Sequence, residues 1–363
     1  MFTTSIFRNC SRLQKSRKSL SLRICARFLA IVACHCAAVN SASGMETVAR
    51  ARVIIDNDFG GDPDGLFQLA HHLMSPSVEI AGIIASQHYE GGFYGDPGTS
   101  AFAARQARNL MDIFKSEIPL YVGAEHALKN TNTPRTTKAA QFIVREAMRG
   151  DIQLPLYMVC GAGLTNLASA YLLEPEIAER MILVWIGGPE YDNQPAPPNV
   201  SGIEYNLGID VHAAQVVFNR SNIPIWQVPR NAYRQTLVSH SELSHRMNTQ
   251  GALATHLLGS LKRLQHKAQG RLGEAYAMGD SPLVLLTALQ SAWQPDPSSS
   301  FYSTLPRPKI SPQGRYETPQ HTSTIRVYSE IDNRLMLEDF YAKLHQFDDR
   351  SGNKSPAVTV KRR

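Results

Sequence analysis

The sequence predicts an α/β fold, an open, mostly parallel, doubly wound sheet flanked by helices. Three observations carry that prediction. Strand-like apolar runs alternate with helical periodicity from Val53 onward. Some runs, such as Met181-Ile182-Leu183-Val184-Trp185-Ile186, are apolar almost without interruption, which suits strands covered on both faces. Three strand-like runs end in glycine-marked turns, Gly60-Gly61, Gly161-Ala162-Gly163 and Gly187-Gly188, where the backbone can turn sharply.

Each element follows from its local pattern. Val53-Ile54-Ile55 opens the first unit, and after the Gly60-Gly61 turn Leu66, Phe67, Leu69, Ala70, Leu73 and Met74 share one helical face. Ile80 to Ala85 reads as the second strand, Gln87 to Gly98 as a polar, glycine-rich loop, and Ser100 to Phe114 as a helix. Leu120 to Val122 is a short strand, Thr137 to Met148 a helix, Leu156 to Cys160 a strand and Thr165 to Leu173 a helix. After the strand from Met181 to Ile186, a Pro/Asn-rich loop spans Pro189 to Ser201. Asp210 is placed to cap a helix through Asn219, and Ile223 to Val228 is a further strand. Ser239 to Ala268 reads as one long helical stretch, and Ser281-Pro282 as the start of an apolar helix to Ala292. Thr322 to Tyr328 is a late strand and Arg334 to His345 the last helix. Repeated strand-turn-helix units require right-handed crossovers. In such sheets ligands bind beyond the carboxyl ends of the strands, so neighbouring glycine turns would meet at one crevice.

The formal charge of +6 misleads as a mark of nucleic-acid binding. Seven basic residues and no acid fall within residues 1–45, which leaves the remainder close to neutral. A body without net positive charge gives no support to a nucleic-acid partner. Residues 1–45 run basic, then apolar from Phe28 to Val39, then small at Ser41-Ala42-Ser43-Gly44, the order of a secretory signal. Export, to the periplasm or the medium, is therefore expected, with a misassigned start and a cytoplasmic protein as the alternative. Ile31-Val32-Ala33-Cys34 also bears a weak likeness to a lipoprotein box. The apolar run falls short of the ~20 residues that span a bilayer. The folded domain is expected over residues 46–347, and a polar, disordered tail with a basic end over 348–363. Of the five cysteines only Cys160 lies beyond the leader. It ends an apolar run and reads as a buried small hydrophobe, and no His/Cys cluster has zinc spacing.

The stretch from Val53 to Leu69 is the most informative about chemistry. Asp56, Asp58, Asp62 and Asp64 fall within nine residues, between the end of the first strand and the entry to the first helix. Crowded carboxylates repel one another and are tolerated where a cation or a reaction needs them. Capping is the plainer explanation for two of them. Asp62 before Pro63 suits a helix start, and Asp64 the first turn. Capping does not explain Asp56 and Asp58.

Taken together, these elements resemble the inosine-uridine preferring nucleoside hydrolases. The likeness rests on Asp56-Asn57-Asp58-Phe59-Gly60-Gly61-Asp62-Pro63-Asp64, Gly161-Ala162-Gly163-Leu164-Thr165-Asn166 and Ile186-Gly187-Gly188. It continues with Glu204-Tyr205-Asn206-Leu207, Asp210-Val211-His212-Ala213-Ala214 and Gly279-Asp280-Ser281-Pro282-Leu283, in order across about residues 50 to 345. The resemblance implies a Ca²⁺-dependent hydrolase that cleaves the N-glycosidic bond of a nucleoside or related glycoside. Water would attack the anomeric carbon as an aspartate takes its proton. It implies Asp58, Asp280 and the backbone carbonyl near Gly161 as calcium ligands, Glu204 and Asn206 on ribose hydroxyls with Asn199 joining them, and Asp56 as a hydrogen-bonding support of the sugar site. The chemistry is coherent. Ca²⁺ takes hard oxygen ligands, a carboxylate base complements a cation that acidifies water only modestly, and carboxylates stabilise an oxocarbenium-like transition state. The implied partner is a small molecule, without nucleic acid or a stable membrane span, and a homo-oligomer is open.

Two departures from the family pattern stand out. Members carry two adjacent aspartates where this chain has Asp64-Gly65. Keeping the helix in phase makes Asp64 the general base, puts Gly65 where a calcium carboxylate is expected, and leaves one extra residue in the turn, from which Asp62 can supply the missing ligand. The other register makes Asp62 the base and Pro63 the lost ligand. Many members also have a histidine, the acid for the leaving base, where this chain has Gly279. Glu274, Tyr276 or His88 could replace it. Ser86-Gln87-His88-Tyr89 stands where a Gly-Asn pair is usual. A calcium-dependent nucleoside or sugar binder without turnover is the alternative function, and a helix cap is the plain reading of Asp280. A phosphotransferase of the haloacid-dehalogenase-like kind, built on Asp56-x-Asp58, would need Gly-Thr or Gly-Val where Phe59-Gly60 stands.

Overall fold

The computed structural model describes residues 47–350, apart from 90, 193, 199–201, 249–250, 290–299 and 319–321. The expected leader, Asn199 and residues 351–363 lie outside the described residues. Seven consecutive buried residues form β1 (Ala51–Asn57). It is followed by β2 (Val78–Ala85), β3 (Leu120–Val122), β4 (Leu156–Gly161), β5 (Ile182–Ile186) and β6 (Ile225–Val228). These run parallel in the spatial order β3-β2-β1-β4-β5-β6. A separate antiparallel ribbon joins β7 (Leu237–Ser239) to β8 (Ala275–Ala277). Beyond β6 the sheet is completed by β9 (Phe301–Pro306) and, after the small β10–β11 hairpin (Lys309–Ile310, Tyr316–Glu317), by β12 (Thr324–Glu330). β12 lies parallel to β6, and β9 antiparallel to β12 at the edge, so the sheet has eight strands and is mostly parallel.

The alternation of side chains along β1 explains the two cores. Val53 and Ile55 pack on one face with Leu66, Phe67, Leu69 and Ala70 of α1 (Asp64–Leu73). Ile54 packs on the other with Met158, Leu167 and Ala168. The next helices are α2 (Ser100–Ile113), α3 (Lys138–Ala147) and α4 (Thr165–Leu173). Side-chain caps fix several starts. Thr99 accepts from Phe102 N at 3.1 Å and Thr137 from Ala140 N at 3.0 Å. Asp210 caps α6 (Val211–Arg220), after the short α5 (Tyr205–Ile209), by accepting from Ala213 N at 2.9 Å.

Four expectations are corrected. The stretch from Ser239 to Ala268 is two helices, α8 (His240–Arg246) and α9 (Ala252–Lys267), after the one-turn α7 (Arg230–Tyr233). Gly251, with an extended backbone, starts the second of them. The helix after Ser281 is the single turn α10 (Pro282–Leu285), in which Pro282 sets the first position. The late strand is Thr324–Glu330, two residues further on than expected. The last helix, α11 (Asn333–Arg350), runs past His345. Its apolar stripe continues one turn further, Phe347 lies on Phe114 with ring centroids 4.5 Å apart, and Asp348 is buried, so residues 348–350 are helix and not tail. The edge strand β9 had no sequence signal. Among the described residues no helix is long and apolar enough to cross a membrane.

Candidate active site

The strand order reverses between β1 and β4, and a crevice forms at that point beyond their carboxyl ends. β1 delivers Asp56, Asn57 and Asp58 there, and β4 delivers Gly161. The turn between β1 and α1 is closed by Gly61 N donating to Asp58 O at 2.7 Å. The capping reading holds for Asp64, which lies in the first turn of α1, and fails for Asp62. Pro63 is the N-cap of α1 and no side chain caps it, so Asp62 does not serve that purpose. Asp280 does not cap α10 either. Ser281 stands at that position, and the Asp280 carboxylate instead accepts from Asn57 Nδ2 at 3.0 Å.

Asp58, Asp62, Asp64, Glu204 and Asp280 line one cavity of about 180 Å³ with Gly161, Asn206, Tyr205, Tyr233, Phe93 and Gly279. No lysine or arginine among the described residues lines it. The carboxylates therefore feel one another. Asp58 is held well above the usual carboxylate range by burial, then by Asp280 and Asp62. Asp64 is raised by burial, Asp280 and Asp62. Burial pushes Asp280 up to about 8, against the hydrogen bond from Asn57. Behind them Asp56 is fully buried and does not line the cavity. Burial pushes it up to about 7, opposed by bonds from Ser86 and Asn166. Its described partners are Ser86 and Asn166, and it makes no contact with the cavity space.

Glu204 is both a structural and a site residue. Its Oε2 caps α5 from Leu207 N at 3.0 Å and accepts from Gly188 N at 2.7 Å, and its Oε1 accepts from Tyr233 Oη at 2.9 Å. Asn206 donates to Ile186 O at 2.8 Å, which leaves its Oδ1 for a ligand. Tyr205 lies against Tyr89 at the mouth, ring centroids 5.7 Å apart.

Both departures lie against named side chains. A Cβ at Gly65 would lie 3.0 Å from Asn57 Oδ1, so a larger residue there would need the Asn57 amide to shift by a few tenths of an ångström. A Cβ at Gly279 would lie 2.9 Å from Asp64 Oδ2, so the Asp64 carboxylate fills the space above that glycine. Of the three suggested acids, Glu274 is exposed and outside the cavity. His88 is buried near the carbonyls of Gly60 and Pro97 and does not line the cavity either. Tyr276 Oη accepts from Asp64 N at 3.0 Å and bonds to the Asp62 carboxylate. It therefore positions the two aspartates.

Sequence reasoning gave no role to three buried amides. Asn57 bonds to Asp280, to Gln68 at 3.2 Å and to Asp58 N at 2.7 Å. Asn166 holds Asp56 and Ser86 and accepts from Ala124 N at 3.0 Å. The available signal was polarity inside apolar helices: Gln68 between Phe67 and Leu69, Asn166 before Leu167 and Ala168.

The donor set suits a hard divalent cation. Its carboxylates and the Gly161 carbonyl are hard oxygen donors, in a cavity that no lysine or arginine among the described residues lines. Among the described residues no three His, Cys, Asp or Glu are already gathered at metal-centre spacing.

Comparison with known proteins gives a consistent result. No curated protein matches the chain in sequence. The fold is similar to that of a plant nucleoside hydrolase, 17% identical, with a TM-score of 0.63 over 82% of this chain and 99% of that one. It is similar to a purine-preferring ribonucleoside hydrolase from Gardnerella vaginalis, 20% identical, with a TM-score of 0.60 over 82% and 98%. An inosine-uridine preferring nucleoside hydrolase from Bacillus anthracis, 16% identical, gives 0.59 over 82% and 99%. The family model described as inosine-uridine preferring nucleoside hydrolase matches residues 53–355, and with the eight-stranded sheet and the acidic crevice already in place, this chain belongs to that family of hydrolases acting on N-glycosyl compounds.

Proposed function

We propose that the protein is a calcium-dependent hydrolase of a nucleoside or a closely related glycoside, with Asp64 as general base. The observation that carries this reading is the convergence of five carboxylates on one cavity that no lysine or arginine among the described residues lines. Asp58, Asp280, the Gly161 carbonyl and Asp62 would hold the cation. When bound, it supplies positive charge that fixes the ribose diol and makes water a better proton donor. Asp64 stands at the rim of the same cavity, where it can take a proton from an attacking water. Glu204 and Asn206 orient the sugar hydroxyls, and the remaining carboxylates stabilise positive charge on the anomeric carbon. The order of residues 1–45 supports export.

Gly279 favours a second reading, a calcium-dependent binder without turnover, because no histidine among the described residues lines the cavity to serve as acid for the leaving group. Ribose release from a nucleoside panel separates the two, measured with Ca²⁺ and with chelator, for wild type, Asp64→Asn and Asp62→Asn. Calcium-dependent release that Asp64→Asn abolishes supports the hydrolase. Calcium-dependent ligand binding without release supports the binder. Wild-type release by Asp64→Asn with loss in Asp62→Asn moves the base to Asp62.

A further inference from the structure

We infer that a buried hydrogen-bond relay, Asn57 to Gln68 to His72 to Thr287, positions Asp58 and Asp280 from behind the cavity, which makes His72 and Thr287 positioning residues although neither touches the site. The inference rests on the reading of those two aspartates as cation ligands. Asn57, Gln68 and His72 are completely buried, and Thr287 is nearly so. Asn57 Nδ2 donates to Asp280 Oδ2 at 3.0 Å and to Gln68 Oε1 at 3.2 Å, while Asn57 Oδ1 accepts from Asp58 N at 2.7 Å. Gln68 Nε2 bonds to His72 Nδ1, and His72 Nε2 meets Thr287 Oγ1 at 3.0 Å. Thr287 Oγ1 donates to Leu283 O at 2.6 Å.

The polarity of this chain is fixed independently from both ends, and the ends agree. A threonine hydroxyl has one proton. Thr287 gives it to Leu283, so it must accept from His72 Nε2–H. His72 Nδ1 is then a bare acceptor, so Gln68 must present its NH₂ to histidine and its oxygen to Asn57. At the other end Asp58 N–H can only donate, so Asn57 presents its oxygen to Asp58 and its NH₂ to Gln68 and Asp280, which turns the amide the same way. Burial and the neighbouring His71 keep His72 neutral, as the relay requires.

Such a chain is an expensive way to fill a core. Leu66, Phe67, Leu69 and Ala70 surround Gln68 on the same helix, and apolar side chains would fill the space without desolvating four polar groups. What the relay adds is orientation. It ties α1, which follows the aspartate turn, to the segment that carries Asp280, 223 residues from Asn57. Groups that orient metal ligands in this way typically govern affinity by 10–100-fold.

The test uses Thr287→Val, which keeps shape and removes the acceptor, Thr287→Ser, which restores it, and Gln68→Met as a second route to a cut relay. Three properties are measured in the full chain: the Asn57 side-chain amide and His72 ring nitrogen resonances without metal, Ca²⁺ affinity by calorimetry, and kcat and KM separately. Cutting the relay should shift the Asn57 resonances, weaken Ca²⁺ by about 10-fold or more and lower kcat more than it raises KM. Thr287→Ser should recover all three. A folded Thr287→Val or Gln68→Met with unshifted Asn57 resonances and wild-type Ca²⁺ affinity would overturn the relay. Absence of Ca²⁺ binding in the wild type would instead overturn the ligand reading, and the amide resonances would then decide the relay alone.

Discussion

Replacing Gly279 with alanine should slow catalysis far more than it unsettles the fold. A Cβ at 279 would sit 2.9 Å from Asp64 Oδ2, whereas ordinary contact begins at 3.4 Å, so the carboxylate must retreat by about 0.5 Å. A carboxylate at the end of a side chain can do so by a torsional change costing about 0.5–1.5 kcal/mol. The backbone at 279 is not left-handed, so alanine also gains about 0.4–1 kcal/mol from a stiffer unfolded chain. The two effects partly cancel, leaving about 1 kcal/mol at most, and at no more than about 2–4 °C per kcal/mol the Tm should move by about 4 °C at most. Catalytic geometry is less forgiving. A misplacement of about 1 Å costs about 10²-fold, so half that distance should cost about 10-fold in kcat. The assay is ribose release at saturating nucleoside with Ca²⁺, paired with thermal melts. Gly279→His should lose still more, because an imidazole needs the volume that Asp64 fills. Wild-type kcat in Gly279→Ala, or a gain of activity in Gly279→His, would refute the proposal that Asp64, packed over this glycine, is the base.

Three further outcomes follow from the same geometry. Asp280→Asn removes one of the mutually repelling buried carboxylates, so the melting temperature without metal should hold or rise, while the stabilisation by Ca²⁺, about 2.7 kcal/mol at 100 times Kd for the wild type, should disappear. A calcium-induced rise in Tm that survives this substitution counts against Asp280 as a ligand. Burial lowers the pKa of both His71 and His72 below 6.5. The unfolded chain then binds more protons, so this stability is complete above about pH 6.5 and is lost as the pH falls below it. The raised carboxylates contribute with the opposite sign in the same pH range, so the histidines are read directly: ring-nitrogen NMR titration should place both midpoints below pH 6.5, and midpoints at or above 6.5 would show that burial does not depress them. Arg52 and Glu146 form a buried ion pair. Glu146→Ala should therefore cost about 3–5 kcal/mol by urea unfolding, and a loss below about 1 kcal/mol would mean that water or another group compensates Arg52.

The parallel sheet was legible because its central strands are covered on both faces, and full burial leaves its mark as apolar runs, short at Val53 to Ile55 in β1 and nearly continuous in β4 and β5. β9 left no such mark, because an edge strand with one neighbour and mostly exposed side chains has no pattern to impose on its sequence. Within the site, the carboxylates were legible as charge where charge is costly. Asn57 and Gln68 were not, because a neutral amide looks the same in a loop, on a surface or in a buried relay, and only long-range contacts tell these apart. The fate of Gly65 was hidden for the same reason. The Asn57 amide packed against it, eight positions earlier in the chain, shows only in the folded structure.

The site divides its labour between residues that are saturated with hydrogen bonds and residues that are not. Asn57, Asn166 and Glu204 each make three or more bonds to named partners, two of them to backbone N–H groups in the case of Glu204. Asp64 accepts only from the adjacent Gly65 N at 2.9 Å and shares a bond with Asp62. A group that must exchange protons or ligands cannot be tied down on every lone pair, whereas the groups that aim it must be. Substitution at Glu204 should therefore damage fold and activity together, since it uncaps α5 and releases Tyr233. Substitution at Asp64 should damage activity alone. The instability of the acidic cavity follows from the same division. Asp58, Asp62, Asp64 and Asp280 are held close by partners that orient them without neutralising them, and a bound cation removes the repulsion that remains.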